Sequence, residues 1–137
     1  MSQPDVSTEV ETVLAWHQAV NDGDVSRFVG VVAPDVELEG IAVEDSAGLD
    51  GLSRWVEETK VQLAPRRVFR RDSVVVVEQS ALWWAEDARQ LSQPAQAAML
   101  FELTDGSITR IVRYPDGARA LEAAGLDESD LEVERVR

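Results

Sequence analysis

The sequence predicts an α+β domain, with helices on one face of a curved and mostly antiparallel sheet. Three observations carry this. Helical periodicity is confined to the chain before Pro65 and to a short Ala/Leu-rich segment near the end, whereas strand-like runs follow one another from Arg66 to Tyr114. An Asp-Gly pair, Asp105-Gly106, joins AAMLFELT to SITRIVRY, and that pair favours the positive backbone angles of a tight hairpin. Both faces of the late strands are apolar. Ala97, Met99, Phe101 and Leu103 alternate with Ala98, Leu100 and Glu102, so the sheet has two surfaces to cover.

Residues 6–21 repeat apolar positions at Val6, Val10, Val13, His17 and Val20, with Leu14 beside them, which is the stripe of an amphipathic helix. Gly23 suits its left-handed end. Asp24 is placed to cap a second short helix with Val25, Phe28, Val29 and Val32 on its buried stripe, stopped by Pro34-Asp35. Val36–Gly40 alternates as a short strand, and Ile41–Leu49 reads as a loop. Asp50 caps a third helix with Leu52, Trp55, Val56, Thr59 and Leu63 on one side, ended by Ala64-Pro65. RRVFRR and VVVVEQSALWW are strands, and the alternation sets Trp83 and Trp84 on opposite faces. Ala85–Pro94 is a polar connection. After the hairpin comes a short helix to Leu126. Residues 1–126 form the domain and 127–137 an acidic tail with Leu131, Val133 and Val136; a frayed end and a docking segment both fit it.

Composition removes several classes of function. The chain has 137 residues and a formal net charge of −13, which repels phosphate backbones and anionic membranes. Neither nucleic acid nor a membrane is expected as a partner, and no apolar run reaches the length of a membrane span. Cysteine is absent, which excludes disulfides and thiol catalysis, and His17 is the only histidine, too few for the usual zinc sites. The polar, acidic N-terminus lacks the pattern of a secretory signal, so a cytoplasmic location is expected. With both sheet faces apolar, a homodimer through the sheet is expected as well.

Three stretches in this order, AWHQAVNDGDVSRFVGVVAPDVELEG, GLDGLSRWVEE and LTDGSITRIVRYPDGARALEAAGL, resemble the SnoaL-like (polyketide cyclase-like) branch of the nuclear transport factor 2-like superfamily. The resemblance covers roughly Val6–Leu126. It implies a cone in which the sheet wraps around three N-terminal helices, closes with a short C-terminal helix, and leaves an apolar pocket for a small, aromatic or polycyclic molecule. It implies no cofactor and no metal. The superfamily includes steroid isomerases, cyclases, epoxide hydrolases and dehydratases, so fold does not settle function.

The resemblance also tests chemistry residue by residue. A steroid isomerase would carry its base, tyrosine and second acid where this chain has Gly40, Trp16 and Met99, so all three roles are empty unless Glu39 stands in for the base. An epoxide hydrolase needs two carboxylates around an arginine; Arg113 and Asp116 supply two of the three. Asp116 matches the cyclase acid/base position, and it equally suits the cap of the last helix. His17, on an apolar helix face, is either an acid/base or a hydrogen-bonded core residue. The candidate catalytic set is therefore His17, Asp116 and Glu39, and the ligand-binding set Trp16, Trp55, Met99, Phe101 and Tyr114. Arg66, Arg67, Arg70 and Arg71 read as a salt-bridged surface or as contacts for an anionic ligand. The alternative to an enzyme is a non-catalytic ligand-binding or dimerisation module.

Overall fold

The computed structural model describes residues 7–41, 48–85, 90–91 and 95–136. Val6, most of the loop expected at Ile41–Leu49, most of the Ala85–Pro94 connection and the side chain of Trp84 lie outside the described residues. Helix α1 spans Thr8–Asp22 and a 3-10 helix follows at Val25–Gly30. Strand β1 covers Val32–Glu39 and helix α2 Gly48–Thr59. Then come β2 (Gln62–Arg71), β3 (Val74–Leu82), and the two-residue strands β4 (Trp84–Ala85) and β5 (Gln90–Leu91), which pair with each other. The hairpin strands are β6 (Ala95–Thr104) and β7 (Ser107–Tyr114). Helix α3 (Gly117–Ala124) and an edge strand, β8 (Leu131–Val133), follow. Six strands form one sheet in the order β1-β7-β6-β3-β2-β8, antiparallel throughout except for the parallel β1–β7 pair. This is the expected α+β class.

Local chemistry accounts for the ends of the elements. The Ser7 hydroxyl accepts the Val10 N–H and caps α1, and Gly23 ends it at φ 66°. The β6–β7 turn is the two residues Asp105 and Gly106, at φ 51° and 82°, with Thr104 paired to Ser107. The inner core joins α1, through Val10, Val13, Trp16 and Val20, to Val68, Val75, Val77, Met99, Phe101, Ile108 and Ile111 of the sheet. The outer face is a second core of Phe69, Val76, Ala98, Leu100 and Val112 under Ala120 of α3 and Leu126. The second apolar face is thus covered by the same chain, and no partner is needed to bury it.

Several expected boundaries move, each for a physical reason. The second helix is a 3-10 turn of six residues; with three residues per turn, Val25 and Phe28 face inward and Val29 is left 75% exposed instead of buried. Asp24 makes no side-chain cap bond there. Val32 is buried as the first residue of β1, which passes through Pro34-Asp35. A proline is tolerated because β1 is an edge strand and its register to β7 shifts between Val32 and Glu37. Helix α2 begins at Gly48, so Asp50 sits in the first turn near the positive helix end. It ends at Thr59, and Leu63, Ala64 and Pro65 belong to β2, with Pro65 at a register shift.

The acidic segment after Leu126 folds onto its own chain. Asp127 and Asp130 form a capping box around the 3-10 turn at Glu128–Asp130, and β8 adds to β2 as an edge strand. The arginines of β2 hold it: Arg67 bonds Glu78 at 2.7 Å and Glu128 at 3.1 Å, Arg70 bonds Glu132 at 2.8 Å and Arg71 bonds Asp130 at 2.7 Å. The salt-bridged reading is the observed one for Arg67, Arg70 and Arg71, whereas Arg66 makes no ion pair among the described residues. Glu132 also accepts the backbone N–H and hydroxyl of Ser7, both at 2.8 Å, so one carboxylate ties the start of α1 to the last strand.

Partial burial pushes the Glu132 carboxyl up, but hydrogen bonds from Arg70 and Ser7 outweigh it and hold the group below the ordinary range. A depressed carboxyl contributes stability above its unfolded value and loses it as pH falls, so docking weakens from about pH 4.3 downward. Glu132→Gln is expected to lower the unfolding free energy at pH 7 by about 1–3 kcal/mol and to flatten that acid limb. Denaturant titrations at pH 7 and pH 3.5 check it; an unchanged midpoint at pH 7 contradicts it.

Candidate ligand pocket

A cavity of about 250 Å³ opens between α2, the end of β1 and the inner faces of β2, β3, β6 and β7. Trp55 and Thr59 come from α2, with Val61 and Leu63 from the chain entering β2. Gln79 and Ala81 of β3 and Ala97 and Met99 of β6 form the buried side. Gly40, Trp83 and Arg113 are exposed and make the rim, with Ile41 beside them. Strand alternation explains the set: Val75, Val77, Gln79 and Ala81 point to one face, and Met99 pairs with Arg113 across the β6–β7 ladder. Gly40 is required at the rim. Its φ is +76°, and a Cβ there would lie 2.8 Å from the Arg113 carbonyl oxygen, so only glycine lets the end of β1 approach β7 so closely.

The sequence-derived candidates separate into groups. Trp55 and Met99 line the cavity. Trp16 and Phe101 are fully buried in the inner core, edge to face at 5.2 Å, and do not line it. Tyr114, one residue past Arg113, faces the outer core instead. Two of the three positions at which a steroid isomerase would carry polar groups, Gly40 and Met99, do face the cavity, and both are apolar.

The three catalytic candidates lie in three places. Asp116 is exposed and caps α3, accepting the Arg119 N–H at 2.8 Å. Glu39 accepts from Arg110 Nε at 3.0 Å, in a shallow groove with Glu37, Leu38 and Glu102. His17 is 2% exposed and sits behind Gln79 as seen from the cavity. Its Nδ1–H donates to the Val13 carbonyl at 2.9 Å, and Nε2 lies 2.7 Å from the Gln79 side-chain oxygen. Burial lowers the pKa of the ring, opposed by its bonds to Val13 and Gln79. No carboxylate lines the cavity among the described residues, and no group of His, Asp and Glu there is placed to hold a metal.

Gln79 escaped the sequence reading, although a signal was present. It is the one polar residue on the inward alternation of a β-branched run, where a buried amide needs a partner. His17→Leu leaves that amide unpaired and is expected to destabilise the fold by about 1–3 kcal/mol. A histidine whose folded pKa is depressed takes up its proton mainly on unfolding, so wild-type stability falls as pH drops below about 6.5. Denaturation between pH 7.5 and 5.5 should show that slope in wild type and lose it in His17→Leu; an identical slope in both contradicts the assignment.

Comparison with known proteins places this geometry. No curated protein matches the sequence significantly. Among solved structures, TerC co-crystallised with polyporic acid has a TM-score of 0.67 at 19% identity, over 85% of this chain and 97% of that one. The epoxide hydrolase/cyclase-like enzyme SalBIII, described in pyran ring formation of the polyether salinomycin, has 0.69 at 19% identity, over 96% and 99%. A SnoaL-like polyketide cyclase, so assigned putatively in Jannaschia sp. CCS1, has 0.66 at 16% identity, over 90% and 95%. At these identities the likeness is one of fold. No helix among the described residues is long and apolar enough to cross a membrane. A family model of the SnoaL-like domain matches residues 13–111, most of the chain, and the protein therefore belongs to the SnoaL-like family, with a nuclear transport factor 2-like fold.

Proposed function

We propose that the protein binds a small, mostly apolar cyclic molecule in the cavity behind Trp55 and Met99. The observation that carries this is the lining itself: Trp55, Trp83, Met99, Leu63, Val61 and alanines around a rigid wall of sheet, with a few polar groups. A volume of about 250 Å³ suits one or two rings. The neighbours named for polyporic acid and for polyether cyclisation handle cyclic molecules, which agrees with this choice.

Binding is favoured over acid/base chemistry by the placement of the candidates. His17 has both ring nitrogens engaged, Asp116 caps a helix, and Glu39 is paired with Arg110 on the outside. A catalytic version needs a proton-transfer group in contact with the ligand. Association of two copies through the sheet is a separate proposal with less to support it, because α3 already buries the outer face. Sedimentation at twice 15.1 kDa would restore it.

Acetophenone, a single apolar ring with a carbonyl, serves as the probe. It is expected to raise the melting temperature and to perturb fluorescence from Trp55 and Trp83. Met99→Trp, which fills the cavity, should abolish both responses while keeping a cooperative melt. No response in wild type, or an undiminished response in Met99→Trp, would sink the reading.

A further inference from the structure

Two polar side chains in the cavity remain available to a ligand. Thr59 is a third, but its hydroxyl donates to the Trp55 carbonyl at 2.6 Å. Arg113 stands at the rim. Arg110, on the same strand, is held by Glu39 and Glu102, whereas Arg113 has no ion-pair partner among the described residues. A guanidinium on an apolar pocket, in a chain of net charge −13, is a local positive centre for an anion to enter against an otherwise repulsive field.

Gln79 supplies the other end, and His17 sets which atom it shows. The Val13 carbonyl only accepts, so Nδ1 of His17 carries a proton. A neutral ring then has a lone pair at Nε2, and the group within reach is the Gln79 amide. An amide oxygen against that lone pair would set two acceptors face to face; an oxygen there requires the charged ring, which deep burial disfavours. The neutral ring therefore takes the amide NH2, and the Gln79 carbonyl turns to the cavity that the residue lines. The buried side of the pocket thus presents an acceptor and the rim presents a cation.

We propose that the ligand is an aromatic or cyclic acid that also carries a hydrogen-bond donor, its acidic group held by Arg113 at the rim and its donor by the Gln79 carbonyl, which His17 orients. This rests on the binding reading above and narrows it to a chemical class with a defined direction of entry.

The test is a calorimetric titration at pH 7.5 with acetophenone, benzoate, 3- and 4-hydroxybenzoate, and the methyl ethers of the two hydroxy acids. Benzoate is expected to bind about tenfold more tightly than acetophenone, as a charge-assisted bond exceeds a neutral one. At least one hydroxybenzoate should bind about fivefold or more above its methyl ether, which has lost the donor. Arg113→Met should abolish the preference for benzoate over acetophenone, while an unchanged cooperative melt reports that the fold is intact. Benzoate no tighter than acetophenone, or a preference that survives Arg113→Met, overturns the role of Arg113. Methyl ethers as tight as both hydroxy acids overturn the role of Gln79. Failure of acetophenone and benzoate alike overturns the binding reading itself.

Discussion

A buried imidazole, bonded through one ring nitrogen to the Val13 carbonyl and through the other to the buried Gln79 amide, ties helix α1 to the sheet, and the registration of helix against sheet depends on that pairing. His17 on α1 and Gln79 on β3 are 62 positions apart in the chain and meet at 2.7 Å. An unpaired polar group at such depth costs about 1–3 kcal/mol, so the contact selects one register of helix against sheet. Trp16 beside His17 packs edge-on to it and to Phe101, which carries the same registration into the apolar core. On its other side Gln79 lines the cavity, so the interaction that fixes α1 also fixes the pocket wall.

The outer surface solves a second problem, that of charge. A chain of net charge −13 has an acidic C-terminal segment that must approach the rest of the molecule. Strand β2 answers with Arg67, Arg70 and Arg71, each paired to a carboxylate, most of them in that segment. Exposed pairs contribute little one at a time, but here they share a strand with backbone bonds from β8 and with the buried side of Leu126. The result covers the edge of β2 with a strand of three residues, while α3 covers the outer face that looked available to a second copy.

Much of the fold was legible because local chemistry and the global architecture agree. Asp105-Gly106 supplies the turn angles, Gly23 and Gly125 end their helices left-handed, and the helical stripe of α1 is the buried one. The errors arose where tertiary context overrides a local signal. Pro34 and Pro65 read as stops, yet both lie inside strands at register shifts. Val29 followed a helical period that the tighter 3-10 turn does not keep. The site was less legible than the fold. Trp55 and Met99 face the cavity as expected, but which face of a strand is inner changes at a bulge, such as that between Glu102 and Leu103, and so Arg113 rather than Tyr114 reaches the pocket. His17 was visible as a titratable residue on an apolar face, while its partner Gln79 lay in a run dominated by valines.

The central claim is that His17 is a neutral structural residue that orients Gln79, and 15N NMR of the imidazole tests it most directly. A single histidine makes the spectrum unambiguous. The account predicts one tautomer, protonated at Nδ1 with Nε2 bare, whose protonation begins only below the ordinary histidine range while the protein stays folded. A ring that titrates near 6.5, exchanges between tautomers, or carries its proton on Nε2 at neutral pH would contradict it.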